Sequence, residues 1–158
     1  IIDPDTIAAK ESCDRLTAGK LAVARVENCL QKGINFSQET TLSGRRTIRT
    51  IQQAREKNYH IRLYYVGVSG AEESLFRIAN RVRKGGHNIP KQDVLRRYKK
   101  RFTDLAEVLP YCDEVHFYDN ENGFREVALY QSGEIMPLVA PLPQWLRDFM
   151  AWKDNEQA

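Results

Sequence analysis

The ten residues from Tyr59 to Val68, YHIRLYYVGV, constrain the fold most. Ile61, Leu63, Tyr65, Val66 and Val68 make the run largely apolar and rich in β-branched and aromatic side chains, the composition of a strand. Such a run suits a central parallel strand covered on both faces. Helical periodicity precedes it twice. Leu21, Ala22, Val26, Cys29 and Leu30 form a stripe between Thr17 and Gln31 that Gly33 ends, and Ile48, Ile51 and Arg55 set the period of a second helix. Helices alternating with apolar strands predict an α/β fold, a three-layer parallel sheet with helices on both faces, in one domain over residues 1–158 without internal repeat.

The other elements follow from shorter signals. Ile1-Ile2 reads as a strand tip, and Asp5 is placed to N-cap a short helix from Thr6 to Ser12. Ile34 to Glu39 resembles a short strand that delivers Glu39, Thr40 and Thr41 to the start of the next helix. Asp5 and Glu39 thus both fall at strand ends, where α/β proteins place chemistry. Beyond the central run, Cys112 to Asp119 reads as a strand, and a turn at Asn120 to Gly123 leads to a final strand or hairpin partner at Glu126 to Gln131. A proline-bearing tail, about residues 136–158, carries Trp145, Leu146 and Phe149 in an amphipathic segment that docks on the body.

Charge is concentrated between Arg77 and Phe102, where ten Lys or Arg face one acidic residue, Asp93. The whole chain is +3, so the remainder carries about −6 and the partner of this stretch is anionic. Ser69 and Glu72 are spaced as a capping box, and Leu75, Ile78, Ala79 and Val82 follow as an apolar stripe. Gly85-Gly86 is a stop, and Pro90 suits the first turn of a second helix with apolar positions Val94, Tyr98, Phe102, Leu105 and Leu109. Arg77 with Arg81, and Arg97 with Arg101, each share a helix face. Two basic helices on a Gly-Gly hinge, about residues 69–109, read as a lid whose guanidinium groups would close over phosphates. The alternative is a solvated basic face.

Composition narrows the class. A hydrophobic fraction of 42% with 28% charged residues belongs to soluble globular proteins, and no apolar run approaches a membrane span. Cys13, Cys29 and Cys112 are odd in number and lack a CxxC, while His60, His87 and His116 lack ligand spacing. A cytoplasmic protein without a structural metal is the expectation.

Taken together, IDPDTIA (residues 2–8), FSQETTLSGR (36–45), YVGV (65–68), RIANRVRKGGHNIP (77–90), LRRYKKRF (95–102) and YDN (118–120) resemble, in order, the zeta-toxin-like small-molecule kinases, a P-loop family. The resemblance covers roughly residues 1–130, and the combination of ETTLSG, RVxxGGH and RRYxxRF is what makes it specific. It implies an ATP- and Mg2+-dependent phosphotransferase acting on a hydroxyl of a small molecule; in the toxin members the acceptor is UDP-N-acetylglucosamine, and an antitoxin protein is the partner. Asp5 matches the base that takes the acceptor proton. Glu39 and Thr40, with Thr41 beside them, match the acceptor-binding ETT. Arg81 and Arg77 match catalytic lid arginines, while Arg97, with Arg101 and Asn120, takes the nucleotide and phosphate positions. Phosphoryl transfer needs an oriented hydroxyl, a base and cations along the phosphates, in agreement with the independent reading of the basic helices.

The chain departs from the family in having no GxxxxGK[ST] loop. At Thr17-Ala18-Gly19-Lys20 the upstream glycine is replaced by Asp14 and the metal-binding hydroxyl by Leu21, within a helical pattern, so Gly19-Lys20 is read as accidental. The family's phosphate loop precedes the IDPDTIA-like segment and is expected upstream of Ile1. Two alternatives stand beside the kinase reading: a remnant that binds without phosphorylating, and a nucleic-acid-binding protein. Tyr98 and Phe102 fit a buried stripe better than a stacking platform, which argues against the last.

Overall fold

A computed structural model describes residues 1–86, 88–121 and 123–156. His87 and Asn122, which belong to the lid hinge motif and the Asn120 to Gly123 turn, lie outside the described residues. The chain is an α/β protein that divides into two compact units, Ile1–Tyr59 and His60–Ala158.

The first unit is built on three helices, α1 (Pro4–Glu11), α2 (Arg15–Lys32) and α3 (Arg45–Glu56). Asp3, not Asp5, caps α1: its carboxylate accepts from the amides of Asp5 and Thr6, each at 3.0 Å, and from the Thr6 hydroxyl. Pro4 explains the shift from Asp5 to Asp3, because its fixed φ and missing N–H suit the first helical position and the cap is then the residue before it. These bonds, the Thr6 hydroxyl first, hold the Asp3 carboxyl below its ordinary value. Asp14 caps α2 through the amide and hydroxyl of Thr17, and Gly33 ends it in the left-handed conformation, as its position predicts. The expected strand at Ile34 to Glu39 is reduced to one parallel bridge between Ile2 and Gln38. Ile2 donates to Ser37 O at 2.7 Å and accepts from Glu39 N at 3.2 Å, and the turn into α1 at Asp3 stops the ladder there.

The second unit carries a four-stranded sheet in the order β1 (Arg62–Gly67), β2 (Glu114–Asp119), β3 (Arg125–Gln131) and β4 (Glu134–Pro137). β1 and β2 are parallel, joined by α4 (Ala71–Arg83), α5 (Lys91–Val108) and a short 3-10 turn (Leu109–Tyr111), whereas β3 and β4 return antiparallel. β1 lies at the edge of this sheet and is not covered on both faces as its apolar run suggests. Tyr64 and Val66 are 58% and 46% exposed, while Leu63, Tyr65 and Gly67 alternate with them to the covered side. Onto that side docks α6 (Gln144–Glu156), as the tail's pattern predicts, burying Trp145, Leu146 and Phe149. A Cβ on Gly67 would stand 2.2 Å from the Trp145 indole, so only glycine lets the ring lie against β1. The indole N–H donates to the buried Asp119 carboxylate at 3.1 Å.

The lid pattern also needs correction. α4 starts at Gly70 without a side-chain cap, because Ser69 gives its amide and hydroxyl to Glu121 at 2.6 and 2.9 Å instead of pairing with Glu72. No residue of α4 is buried: Ala79 and Val82 of the expected stripe are exposed, and Leu75 and Ile78 are half-buried. On α5 the stripe behaves as spaced, with Val94 and Leu105 buried and Phe102 packed on Phe149 and Trp152.

Candidate functional site

In the first unit a pocket of about 630 Å³ opens between a face of α2 and the segment that leads into α3. The α2 side presents Gly19, Ala22, Val23, Val26 and Glu27, which fall at helical spacing on one face. Facing it are Gln38, Glu39, Thr40 and Ser43, then Arg46, Thr47, Arg49, Thr50 and Gln53 from α3. The α2 wall is thus small and apolar up to Glu27, and the facing wall is polar, with two arginines and the Glu39 carboxylate. α3 can present so many polar groups because it buries only Ile48 and Ala54.

The loop entering α3 is shaped by its hydroxyls. Thr40 Oγ1 accepts from Leu42 N at 3.1 Å and lies 3.1 Å from Thr47 Oγ1, and Thr41 Oγ1 lies 2.8 Å from Ser43 Oγ. Leu42 is held at φ +55°, a left-handed conformation that costs a leucine of order 1 kcal/mol and persists where its surroundings impose it. α3 then opens at Gly44 without a side-chain cap, so the partial positive charge of its first turn is not neutralised by a side chain. Of the acceptor residues expected from sequence, Glu39 and Thr40 line the pocket; Thr41 and Asp5 do not. Asp5 follows the lining residue Pro4, has a side chain 66% exposed, and stands 3.9 Å from Arg15. Because Asp3 takes the capping role, the Asp5 carboxylate is left to solvent and Arg15.

The expected phosphate-binding arginines all lie in the second unit, where their surroundings differ. Arg77 is committed to the fold: Nε donates to Glu73 at 2.6 Å and a terminal nitrogen to the Asn120 carbonyl. Arg101 lies over the rings of Tyr98 and Phe102, 3.7 and 3.9 Å from their centroids, and donates to Tyr98 O at 2.7 Å. Arg81 is exposed at the C-terminal end of α4. Arg97 is half-buried, and its Nε, like that of Arg101, is shut off from water without a hydrogen-bond partner. An orphaned guanidinium N–H is costly, and an anionic oxygen is the group that satisfies it best. Tyr98 O–H donates to Ser69 O at 2.6 Å, which ties α5 to the start of α4.

Sequence reasoning missed Arg46, Arg49 and the α2 wall of the pocket. The signal was available in α3, whose arginines recur at i and i+3 with Thr50 and Gln53 on the same face. Among the described residues no group of three or more His, Cys, Asp or Glu is placed to hold a metal ion, and no helix is long and apolar enough to cross a membrane.

A mixed α/β fold with a polar pocket and a separate pair of basic helices fits a kinase-like P-loop protein. The chain belongs to the zeta toxin family, whose model matches residues 10–134, a span that includes Glu39, Thr40, the lid arginines and Asn120 and leaves out Asp5. It is also similar to an uncharacterized protein of Haemophilus influenzae, 33% identical over 103 residues that make up 62% of this chain and 74% of that protein. No solved structure matches it. Membership points to nucleotide chemistry.

Proposed function

We propose that the chain serves a phosphotransferase of the zeta-toxin type, with the first-unit pocket as the acceptor site and the basic helices of the second unit as the nucleotide-phosphate element. The observation that carries this reading is the pocket itself: Glu39 and Thr40, the two residues the resemblance assigns to the acceptor, line a 630 Å³ space with Arg46 and Arg49. Carboxylate and hydroxyl groups orient a sugar-like hydroxyl, while the arginines and the uncapped start of α3 favour an anionic substituent. A nucleotide sugar combines both features. Asp5, free of the capping role, is the base in this reading.

For the nucleotide, the residues present fit phosphate: Arg97 brings an orphaned N–H, and Arg81 is exposed near the end of α4. Bound ATP would supply the transferable phosphoryl group, and these arginines would hold and neutralise its phosphates. The described residues provide no carboxylate cluster for Mg2+, so none of them is given that task.

The test is calorimetric titration of the 158-residue chain with UDP-N-acetylglucosamine, followed by mass spectrometry of the acceptor after incubation with Mg-ATP. Glu39→Gln is expected to weaken binding by about tenfold or more, the loss of one charge-assisted hydrogen bond. In a protein that also carries the phosphate loop expected upstream, Asp5→Asn is expected to abolish transfer while leaving acceptor binding intact. Indifference of binding to Glu39→Gln would sink the acceptor reading, and binding without transfer in the parent chain would leave it an acceptor-binding module.

A further inference from the structure

Gly19 sits five residues into α2, where glycine is the least favourable residue after proline, between Ala18 and residues that continue the helix well. A glycine inside a helix usually has one of two reasons. One is a left-handed backbone, which Gly19 does not have, unlike Gly33 at the end of the same helix. The other is a neighbour too close for a Cβ. Outside the helices, Gly67 of β1 and Gly86 after α4 show what such a contact looks like, since a Cβ would meet the Trp145 ring at 2.2 Å and the Arg81 side chain at 2.5 Å. At Gly19 a Cβ would meet nothing within 4 Å. What Gly19 faces is the pocket, whose lining it joins.

We infer that Gly19 is a specificity-determining residue of this pocket, kept without a side chain so that a ring of the bound molecule can lie against α2. The inference rests on the reading of the pocket as the acceptor site. Gly19, Ala22 and Val23 make a low, apolar floor, and a ring laid on it turns its hydroxyl and anionic substituents toward Glu39, Thr40 and Arg46 opposite. A side chain at position 19 would fill that floor from below. The chemical class admitted is therefore a hydroxylated ring carrying an anionic group, and the size of residue 19 sets how large a ring fits.

The consequence is a pair of effects with opposite signs. Gly19→Ala and Gly19→Leu add helix propensity and enter open space, so both variants should melt no lower than the parent chain. Both should bind UDP-N-acetylglucosamine more weakly, Gly19→Ala by about threefold and Gly19→Leu by more than about tenfold, the scale on which pockets discriminate single carbon groups. The experiment is thermal melting plus calorimetric titration with UDP-N-acetylglucosamine on the parent chain, both variants and Glu39→Gln. Variants that bind as well as the parent would overturn the role of Gly19 while leaving the acceptor reading in place. Variants that melt well below the parent would also overturn it, because the space would then be a packing contact. A parent chain that binds no probe, with Glu39→Gln equally silent, would remove the acceptor reading and the floor with it.

Discussion

The first unit closes on Ile2, Ile7, Ala18, Ala22, Val26, Leu30, Ile48 and Ala54, whereas the second closes on Trp145, Phe117, Phe149, Leu105 and their neighbours. All eight of the largest fully buried side chains belong to the second unit. The difference follows from what each leaves open. In the first unit the face of α2 that carries Ala22 and Val26 both closes the core and borders the pocket, so small side chains are supplemented by caps and by polar contacts such as the Tyr59 hydroxyl, 3.0 and 3.1 Å from the carbonyls of Cys29 and Ile34. In the second unit burial of large rings carries the stability, and charged groups lie on α4, α5 and the open face of the sheet. The larger buried side chains are thus concentrated in the unit that does not carry the pocket described above.

The sharpest test of this contrast is Trp145→Ala. Removing a fully buried indole costs about 3–5 kcal/mol, and the buried Asp119 would also lose its donor. Amide exchange over β1, β2 and α6 is expected to quicken by two orders of magnitude or more. A loss under about 1 kcal/mol, the scale of a surface change, would mean that the ring is not the keystone of that core.

For the first unit the comparable change is polar and smaller. Tyr59→Phe keeps the ring against Phe36, at 6.1 Å between centroids, and removes only the hydroxyl. The expected cost is about 1 kcal/mol, the net value of a hydrogen bond of this kind. Faster exchange of the amides at the end of α2 is the measurement. An effect as large as that of Trp145→Ala would erase the contrast between the units.

How much of this was legible depends on the kind of signal. The periodicities of α2, α3 and α5 and the apolar runs of β1 and β2 are local, and each became the element its pattern describes. Signals that tertiary partners can override were misleading. Ser69 and Glu72 have capping-box spacing, but Glu121 reaches Ser69 across the fold. Asp3 and Asp5 are equally good caps in sequence, and Pro4 decides between them. β1 reads as a central strand because an apolar run cannot distinguish a covered face from one that leaves Tyr64 exposed, and the four residues of β4 carry no pattern at all. At the site, Glu39 and Thr40 were found through resemblance and do line the pocket. The α2 wall is hidden in the sequence because Ala22 and Val26 are buried core as well as lining, and Gly19 reads there only as an accidental match to a phosphate loop. Its cost inside a helix was the clue that something other than packing holds it there.

The smallest effect expected is one of pH, and it tests whether the open face of the sheet contributes to the second unit at all. His116 of β2 lies between two carboxylates, Nδ1 2.6 Å from Glu126 and Nε2 3.1 Å from Glu114, under the stacked ring of Tyr64. Only the imidazolium can donate from both nitrogens. Partial burial acts to lower its pKa, and the bonds to Glu126 and Glu114 outweigh that and raise it above 6.5. Glu114 also accepts from Arg62 and from His60, and these bonds, Arg62 first, hold its carboxyl down at about 2. The two groups limit stability from opposite sides. The His116 contribution is fully present below 6.5 and is lost as pH rises through the raised value; that of Glu114 is present above 4.5 and is lost as pH falls toward about 2. The second unit should therefore be most stable between about 4.5 and 6.5. Both tryptophans, Trp145 and Trp152, lie in this unit, so fluorescence-detected denaturation reads it alone. In His116→Gln the decline above pH 6.5 should flatten, with the variant less stable than the parent in acid and converging on it in base. Parallel pH profiles for the two proteins would show that the charged face of the sheet is spectator to folding, and that the aromatic core beneath it carries the unit unaided.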